Sequence, residues 1–258
     1  MAGPRRREPL VSIGILCATP EELEAVRAQL HLDPEPELHG PTRVWRGRHD
    51  GHDLVLAQTG IGKVNAAAAA TLLLSLFEVE ALICSGVAGG LNPELPVGAV
   101  VLAERLAIHD FGVVTGGQLT ATASGEIPIG APELSEAPPV QPHVRSALER
   151  LEDAVAERLG HPIRRGAIVT ADYFLNCGET RDALRARFAA DAIDMESGAL
   201  RQVADAWKRP LYVIRTLSDL AGEESHVTYY EMELMAAENS ALCVPALLAI
   251  LKAGVDAG

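Results

Sequence analysis

The chain has 258 residues, of which 48% are apolar, and this suits one large α/β domain with a sizeable core. Its formal net charge of −13 at pH 7 argues against a nucleic-acid partner, because binding a polyanion requires a surplus of Lys and Arg along one face. No stretch reaches the roughly 18 unbroken apolar residues of a membrane span, so we expect no membrane insertion. A small substrate remains compatible with this charge, since one well-placed Arg can bind even an anion.

The four cysteines are far apart, and no pair has the C-x-x-C spacing of a zinc or redox motif. We therefore expect no metal site and free thiols in a reduced, cytoplasmic protein. The basic residues 1–10 are predicted to form a disordered extension that precedes a single domain over residues 11–254. The apolar run Leu10–Ala18 is short and lacks the small-residue cleavage site of a signal peptide. The cysteines are Cys17, Cys84, Cys177 and Cys243.

The first half of the chain alternates strand patterns with helix patterns. Val11–Ala18 is predicted to be a buried strand. Thr19, Pro20 and Glu22 then form a capping box with a first-turn proline, which predicts a helix ending near Leu30. This capping role is by itself enough to explain Glu22. The other elements predicted here are a β-hairpin with strands at 44–49 and 53–59, an alanine-rich helix at 64–77, and strands at 81–85 and 98–108.

In the second half, residues 116–142 are rich in Gly, Pro, Ser and Thr and show no period, which predicts a long excursion without regular structure. The remaining strands and helices alternate, and this pattern favours parallel strand pairs in a sheet covered on both faces. Together with the hairpin, it predicts a single-domain α/β fold with a mixed central sheet flanked by helices. The elements predicted here are helices at 143–159, 181–188, 198–207 and 232–253, the last kinked at Pro245, and strands at 166–170, 192–195 and 210–217.

Two glycine clusters lie next to predicted strands. Residues 59–64 (TGIGKV) stand between a strand and a helix, but Asn65, Ala57 and Val64 fail the G-x-G-x-x-G and P-loop patterns. A close backbone turn is the simpler interpretation of this first cluster. Residues 86–90 (GVAGG) follow the predicted end of a strand, where ligands bind in open α/β sheets and where glycines let a ligand approach backbone N–H groups.

Charged and polar side chains end two apolar strands. Asp194 and Glu196 end one of them, and Arg215, Ser218 and Asp219 end the other. A charge close to a core must be paired or used, because its desolvation is costly. Two interpretations follow: these groups form a functional site, or Arg215 pairs with a carboxylate and Asp219 caps the next turn.

With these residues placed, the sequence resembles the methylthioadenosine/S-adenosylhomocysteine nucleosidases of the purine nucleoside phosphorylase superfamily. The likeness spans nearly the whole chain, and its last four motifs, in their order, are jointly specific. The motifs are Ile13-Gly-Ile15 with Glu21-Glu22, residues 59–64, residues 86–90, His109-Asp110, residues 171–174 (ADYF), residues 194–196 (DME), residues 215–219 (RTLSD), and Ser225-His226.

The resemblance implies hydrolysis of the N-glycosidic bond of an adenine nucleoside, with no metal or organic cofactor. Asp219 would be the general acid at adenine N7, and Glu22 would activate the attacking water. Glu196 would accept hydrogen bonds from the ribose hydroxyls. The other substrate-binding residues that it implies are Val87, Ala88, Gly89, Phe174 (stacking on the base), Leu175 (its backbone reading the adenine edge), Met195 (packing on the sugar), Arg215, and Ser218 (orienting Asp219).

Two departures from the family pattern keep alternatives open. Val87 stands where these nucleosidases usually have a Ser near the catalytic water, and residues 116–142 are unfamiliar where the family closes the site around the 5′ substituent. A hydrolase of another 5′-substituted purine nucleoside, such as futalosine or aminodeoxyfutalosine, is the first alternative. A phosphorylase is less favoured, because Glu22 would repel phosphate and the Val87 side chain cannot donate a hydrogen bond. A non-catalytic nucleoside-binding protein is least favoured, because Glu22, Glu196 and Asp219 are all present.

The resemblance also implies a homodimer whose sites are completed across the interface. The helix predicted at 64–77 supports this independently, because it is apolar over more than one face and a sheet covers only one of them. The segment Ile108–Val114 likewise combines apolar residues with glycine. The alternative is that the last helix covers this surface within one chain.

Overall fold

The structure, a computed structural model, describes residues 12–255. The extension predicted at 1–10 and the first residue of the predicted first strand, Val11, lie outside the described residues. The strands are β1 (Ser12–Cys17), β2 (Glu37–His39), β3 (Thr42–His49), β4 (His52–Gln58), β5 (Ala81–Gly90), β6 (Val100–Ile108), β7 (Gly112–Thr115), β8 (Gln118–Ala121), β9 (Ile163–Thr170), β10 (Ala192–Asp194) and β11 (Leu211–Asp219). The helices are α1 (Pro20–Gln29), α2 (Lys63–Leu76), α3 (Pro142–Val155), α4 (Gly178–Phe188), α5 (Ser197–Ala206) and α6 (Ser225–Val255).

Most of these strands join one mixed sheet, in the order β10-β9-β6-β11-β5-β1-β4-β3-β2. Strand β5 lies at its centre between the parallel strands β1 and β11. The pairs β6–β11 and β3–β4 are antiparallel. Strand β10 pairs with β9 on one side and with β5 on the other, so this part of the sheet curls back on itself. The predicted single-domain α/β fold, with a mixed central sheet flanked by helices, is confirmed.

The core forms between the central strands and the helices that cover them. Ile13 and Ile15 of β1, Leu73 of α2 and Val213 of β11 are completely buried. Aliphatic side chains that alternate between the two faces of a strand explain why helices cover both faces of the sheet. The sheet edge at which β1, β5, β9, β10 and β11 end therefore remains accessible, and the site lies there.

One described helix, α6, is long and apolar enough to cross a membrane by length and composition, with a mean hydropathy of 1.8 over an 18-residue window within Ser225–Ala253. In the fold, 56% of that window is buried, and α6 packs against α1, α3, β5 and β11. Its apolar residues thus belong to the core of the protein. Pro245 lies inside the helix.

Three predicted boundaries close to the site are wrong. Strand β5 continues to Gly90 instead of ending at Ser85, and β11 continues to Asp219 instead of Leu217. Glycine has a low strand propensity, so the sequence predicts that β5 ends before the glycine cluster. In the structure, pairing with β11 and β10 keeps this cluster in the strand. Helix α6 begins at Ser225, seven residues before the predicted start. The sequence does not reveal this start, because the first turns of the helix lack an apolar period.

A short hairpin and a short edge strand were also absent from the predicted set. The segment expected to be irregular from residue 116 begins with part of a hairpin formed by β7 and β8. Strand β2 pairs antiparallel with β3 at the edge of the large sheet. Both are short and largely exposed, so hydrophobic periodicity gives little signal for them.

Candidate active site

A cavity of about 510 Å³ opens at the carboxyl ends of β1, β5, β9, β10 and β11. Ten of the eleven predicted site residues line it. They are Glu22, Val87, Ala88, Gly89, Phe174, Leu175, Met195, Glu196, Ser218 and Asp219. Arg215 is the exception, because it does not line the cavity and instead contacts carboxylates that do.

Glu22 is buried at the start of α1, and both of its carboxylate oxygens are held. The capping box predicted from the sequence is confirmed, with the Glu22 N–H donating to Thr19 Oγ1. Glu22 Oε2 accepts hydrogen bonds from the N–H groups of Ala18 at 2.6 Å and Thr19 at 3.2 Å. Glu22 Oε1 accepts one from the Val87 N–H at 2.8 Å. The cap therefore fixes a carboxylate that faces the cavity, and the two interpretations of Glu22 are compatible.

Close approach of Glu22 to β5 requires a glycine at position 86. A Cβ built on Gly86 would overlap the Glu22 carboxylate and the Arg215 guanidinium. The glycine cluster of β5 thus brings the strand backbone against buried charged groups. Its neighbours Val87, Ala88 and Gly89 form one wall of the cavity.

Arg215 is completely buried and sits among three carboxylates. Its Nη2 lies 2.8 Å from Asp194 Oδ2 and 3.0 Å from Glu196 Oε2, and its Nη1 lies 3.7 Å from Glu22 Oε1. Asp194 also accepts hydrogen bonds from the hydroxyl groups of Thr170 and Ser197. This buried guanidinium offsets part of the repulsion among carboxylates that come from α1, from the end of β10 and from the turn between β10 and α5.

Glu196 is held from two sides. Its Oε2 accepts a hydrogen bond from Arg215 Nη2, and its Oε1 accepts one from the Gly62 N–H at 2.9 Å. Burial raises the pKa of Glu196 to about 7, while the Arg215 guanidinium opposes that shift. Near neutral pH, this carboxyl group is therefore protonated to a larger extent than an exposed glutamate.

Asp219 lies at the end of β11, where a register shift against β5 follows Leu217. Its Oδ2 accepts a hydrogen bond from the Ser218 hydroxyl at 2.9 Å, and its Oδ1 accepts one from the Ala221 N–H at 2.8 Å. Burial raises the pKa of Asp219, and these two hydrogen bonds oppose the shift. The bulge thus aims into the cavity a buried carboxyl group that retains its proton more readily than an exposed one.

An aromatic wall faces these carboxylates. The Phe174 and Tyr229 rings meet edge to face, with centroids 5.7 Å apart, and Tyr230 packs against Tyr229. Phe174 is 46% exposed, so its face is available for stacking. The lining residues that sequence reasoning missed are Ala18, Thr19, Ile61, Tyr173, Ile193, Asp194, His226, Tyr229 and Tyr230. Tyr229 and Tyr230 come four and five residues after Ser225, which begins α6. This spacing indicates that they lie near the site only when the start of α6 is known.

Two histidines of the family motifs lie near this cavity. His109 Nε2 is 3.0 Å from the Tyr173 hydroxyl, and burial lowers the pKa of His109 to about 4. It is therefore a neutral, hydrogen-bonded group near neutral pH. His226 lines the cavity from α6. Between residues 12 and 255, no three His, Cys, Asp or Glu side chains are grouped as metal ligands.

Comparison with known proteins places this site in a family. A model of the phosphorylase superfamily matches residues 12–251. The 5′-methylthioadenosine/S-adenosylhomocysteine nucleosidase of Mycobacterium tuberculosis is 36% identical over 253 residues, which cover 94% of this chain and 99% of that protein. The chain belongs to the methylthioadenosine/S-adenosylhomocysteine nucleosidase family. The resemblance predicted from the sequence is confirmed.

Solved structures agree with this membership. The S-adenosylhomocysteine nucleosidase of Streptococcus pyogenes, in complex with 5-methylthiotubericidin, is 28% identical with a TM-score of 0.80, covering 94% of this chain and 98% of that one. The futalosine hydrolase of Helicobacter pylori is 25% identical with a TM-score of 0.79, covering 93% of this chain and 97% of that one. The nucleosidase family and the futalosine hydrolase thus have the same fold, and the distinction between them depends on the site.

Proposed function

We propose that this protein hydrolyses the N-glycosidic bond of 5′-methylthioadenosine and S-adenosylhomocysteine, releasing adenine and the free ribosyl product. The observation that carries the proposal is the convergence of Glu22, Glu196 and Asp219 on one cavity that also presents an exposed aromatic ring. These groups supply a base, a sugar-binding carboxylate and an acid without any metal.

Asp219 is the general acid in this proposal. When the bond between C1′ and N9 breaks, its electron pair passes to the adenine ring, and Asp219 donates a proton to N7 so that a neutral base leaves. The raised pKa of Asp219 supports this role, because an acid that loses its proton too easily would be ionised before the reaction. The Ser218 hydroxyl, 2.9 Å from Oδ2, orients the carboxyl group.

Glu22 is the group that positions and deprotonates water. The water oxygen forms the new bond to C1′ and its proton passes to Glu22. The three backbone N–H groups that bind this carboxylate fix its direction, which lowers the entropic cost of reaching the reactive geometry. As the ribosyl ring gains oxocarbenium character, Glu22 and Glu196 place negative charge near it.

Glu196 and the aromatic wall bind the two halves of the substrate in this proposal. Glu196 accepts hydrogen bonds from the ribose 2′- and 3′-hydroxyls, and Met195 packs against the sugar. Phe174 stacks on the adenine ring, and the backbone near Leu175 reads its edge. All four of these residues line the same cavity, which supports one group binding the sugar and the other binding the base.

The charge of the cavity favours water over phosphate as the nucleophile. In the part of the chain that the structure describes, the lining includes four carboxylates and neither Lys nor Arg. A phosphate dianion would be repelled there. The Val87 N–H, a backbone donor beside the cavity, already donates to Glu22 at 2.8 Å. Hydrolysis is therefore favoured over phosphorolysis.

The acidic lining of the cavity also affects which 5′ substituent of the substrate it can bind. Futalosine and aminodeoxyfutalosine carry a benzoate there, and the described lining offers this anion no Lys or Arg. The thioether of 5′-methylthioadenosine needs only apolar contacts, which Ile61, Tyr229 and Tyr230 can provide. These observations favour 5′-methylthioadenosine over the futalosine alternative. The amino-acid group of S-adenosylhomocysteine carries an ammonium as well as a carboxylate, so it brings no net negative charge to this lining.

In the cell, we place this reaction in the cytoplasm, as a step of nucleoside catabolism and methionine salvage. The four free cysteines fit a reducing compartment.

We further propose a homodimer. The outer face of α2 leaves Val64 79% exposed and Leu76 62% exposed. Helix α6, which could have covered this face within one chain, instead packs against α1 and α3, while α2 packs against α5. A two-fold interface would bury the apolar face of α2. Val114 of β7, 67% exposed, extends the apolar surface.

Incubation of the pure protein with 5′-methylthioadenosine, S-adenosylhomocysteine, 2′-deoxyadenosine, futalosine and aminodeoxyfutalosine tests the function directly. We expect adenine release from the first two at the same rate with and without phosphate, and a free reducing pentose as the other product. Chromatography of the base and the sugar measures both. Ribose 1-phosphate as the main product would assign the protein to the phosphorylases, and fastest turnover of a futalosine would favour that alternative.

Asp219→Asn should lower kcat by at least about a hundredfold, the lower range of what losing a general acid costs. Asn can still donate to N7 but cannot transfer a proton. Because Asn can also accept from the Ala221 N–H, the melting temperature should change little. Asp205→Asn, at an exposed pair with Arg201, is the matched control. Near-normal turnover by the Asp219 variant would show that another group is the acid.

Glu22→Gln should lower kcat by orders of magnitude, because the amide cannot take a proton from water. Its effect on stability should exceed that of an ordinary cap, since both carboxylate oxygens accept from N–H donors and the amide NH₂ would face one of them. We expect a loss of about 1–3 kcal/mol in the free energy of unfolding. Kinetics and thermal denaturation measure the two effects separately. A destabilised but fully active variant would leave Glu22 with the capping role alone.

Sedimentation at micromolar concentration should give twice the 27.3 kDa chain mass if the homodimer forms. Substituting Leu76 with Lys should shift the particle toward the monomer, because a charge would then enter the apolar interface. An active protein of monomer mass at assay dilution would rule out a site shared between two chains.

A further inference from the structure

Three sequence features that the proposed reaction does not use meet at the rim of the cavity. Lys63 belongs to the first glycine cluster and is the first residue of α2. Asp110 follows β6, and Asp172 follows β9. We refer to these three residues as the Lys63 network.

Direct charge contacts join the three side chains. Lys63 Nζ lies 2.5 Å from Asp110 Oδ1 and 3.6 Å from Asp172 Oδ2. The second oxygen of Asp110 accepts a hydrogen bond from the Asp172 N–H at 3.0 Å. Asp110 therefore binds both of the other members, and the loops after β4, β6 and β9 are held together.

This network continues through the backbone at the start of α2. Asp172 Oδ1 accepts a hydrogen bond from the Lys63 N–H at 2.8 Å, and Glu196 Oε1 accepts one from the adjacent Gly62 N–H at 2.9 Å. Helix α2 has no side-chain cap of its own. Two carboxylates from distant parts of the chain thus satisfy N–H groups at the helix start, where the positive end of the helix dipole favours anions.

Gly62 gives this turn its shape. Its φ of +98° lies in a region that residues with a side chain rarely adopt, and a Cβ there would approach Asp172 Oδ1 to 3.3 Å. The turn directs the N–H groups of Gly62 and Lys63 toward two different carboxylates. Loss of the contact to Asp172 would free the turn that holds Glu196.

The contacts are partly withdrawn from water. The side chains of Lys63 and Asp110 are each 20% exposed, whereas Asp172 is 47% exposed. A fully exposed ion pair would fix little geometry. A pair at this depth penalises removal of either partner, because the other charge is left poorly solvated.

We propose that Lys63, Asp110 and Asp172 are positioning residues, which hold the Gly62 N–H on Glu196 and so fix this carboxylate against the ribose diol. The inference rests on the proposed function, since it takes Glu196 as the sugar-binding group. Arg215 fixes the other oxygen of Glu196 at 3.0 Å. Only with both oxygens held does the carboxylate keep one orientation.

The test compares 5′-methylthioadenosine with its 2′-deoxy analogue in Lys63→Met and Asp110→Asn. A misplaced Glu196 should lower kcat/KM for the ribonucleoside by about tenfold to a hundredfold, the usual effect of a small displacement of a positioned group. The 2′-deoxy analogue lacks one of the hydroxyls that Glu196 would bind, so it should lose much less. The preference for ribose over 2′-deoxyribose should therefore shrink in both variants.

Arg165→Met is the matched control. It removes ion pairs of similar exposure, the shortest between Arg165 and Glu152 at 2.6 Å, near the start of β9, whereas the cavity lies at the carboxyl end of that strand. It should leave the sugar preference unchanged. If Lys63→Met does not fold, the isosteric Asp110→Asn carries the test, with melting temperatures recorded for all variants.

Two results would overturn the inference, and they are distinguishable. If the wild-type protein cleaves both substrates with a ribose preference and the folded variants keep that preference, the positioning role alone is wrong. If the wild-type protein cleaves no adenine nucleoside, the proposed function fails and this inference fails with it.

Discussion

The buried guanidinium of Arg215 is the interaction on which the rest of the site depends. Glu22 reaches it from α1, and Asp194 and Glu196 reach it from the end of β10 and the turn that follows, far away in sequence. Without a cation between them, three buried carboxylates would repel one another and would each lose hydration without compensation. Arg215 therefore allows the fold to gather acidic groups at one sheet edge, which is what the proposed chemistry requires.

The single positive charge of Arg215 does not neutralise all of the acidic groups around it, and the remaining negative charge favours the proposed reaction. One guanidinium faces three carboxyl groups, and burial brings the pKa of Glu196 to about 7. The cavity wall thus retains negative character that the ribosyl cation would neutralise as the glycosidic bond breaks. Under the proposed function, the negative charge that Arg215 leaves unneutralised stabilises the transition state.

Under the proposed function, Glu22 combines a structural and a catalytic role in one side chain. The sequence presented capping and catalysis as competing interpretations, whereas the structure assigns one oxygen to the helix cap and directs the other to Val87 and Arg215. A cap is rigid because it satisfies backbone donors. Placing the base within a cap gives that base a fixed direction without any additional element.

Much of the fold and the lining of the site could be predicted from residues alone, and the remainder has an identifiable cause. Strand and helix periods located most elements, and the resemblance to the nucleosidase family marked ten residues that do line the cavity. The extension of β5 through Gly90 escaped prediction, because its hydrogen bonds come from β10 and β11. The Lys63 network escaped prediction for a similar reason, since its three members lie 47, 62 and 109 residues from one another along the chain.

The sequence by itself determined the local features: the capping box at Thr19 and Glu22, the alternation of strands and helices, and the family to which the chain belongs. These features depend on hydrophobic periodicity and on hydrogen bonds between residues a few positions apart, and both can be recognised from the order of residues along the chain. Only the tertiary structure decided that Arg215 is withheld from the cavity, that Asp194 is tied to Thr170 and Ser197, and that the turn at Gly62 reaches Glu196. Such contacts follow from strand order and register, and these are set by the packing of the whole chain rather than by any segment of it.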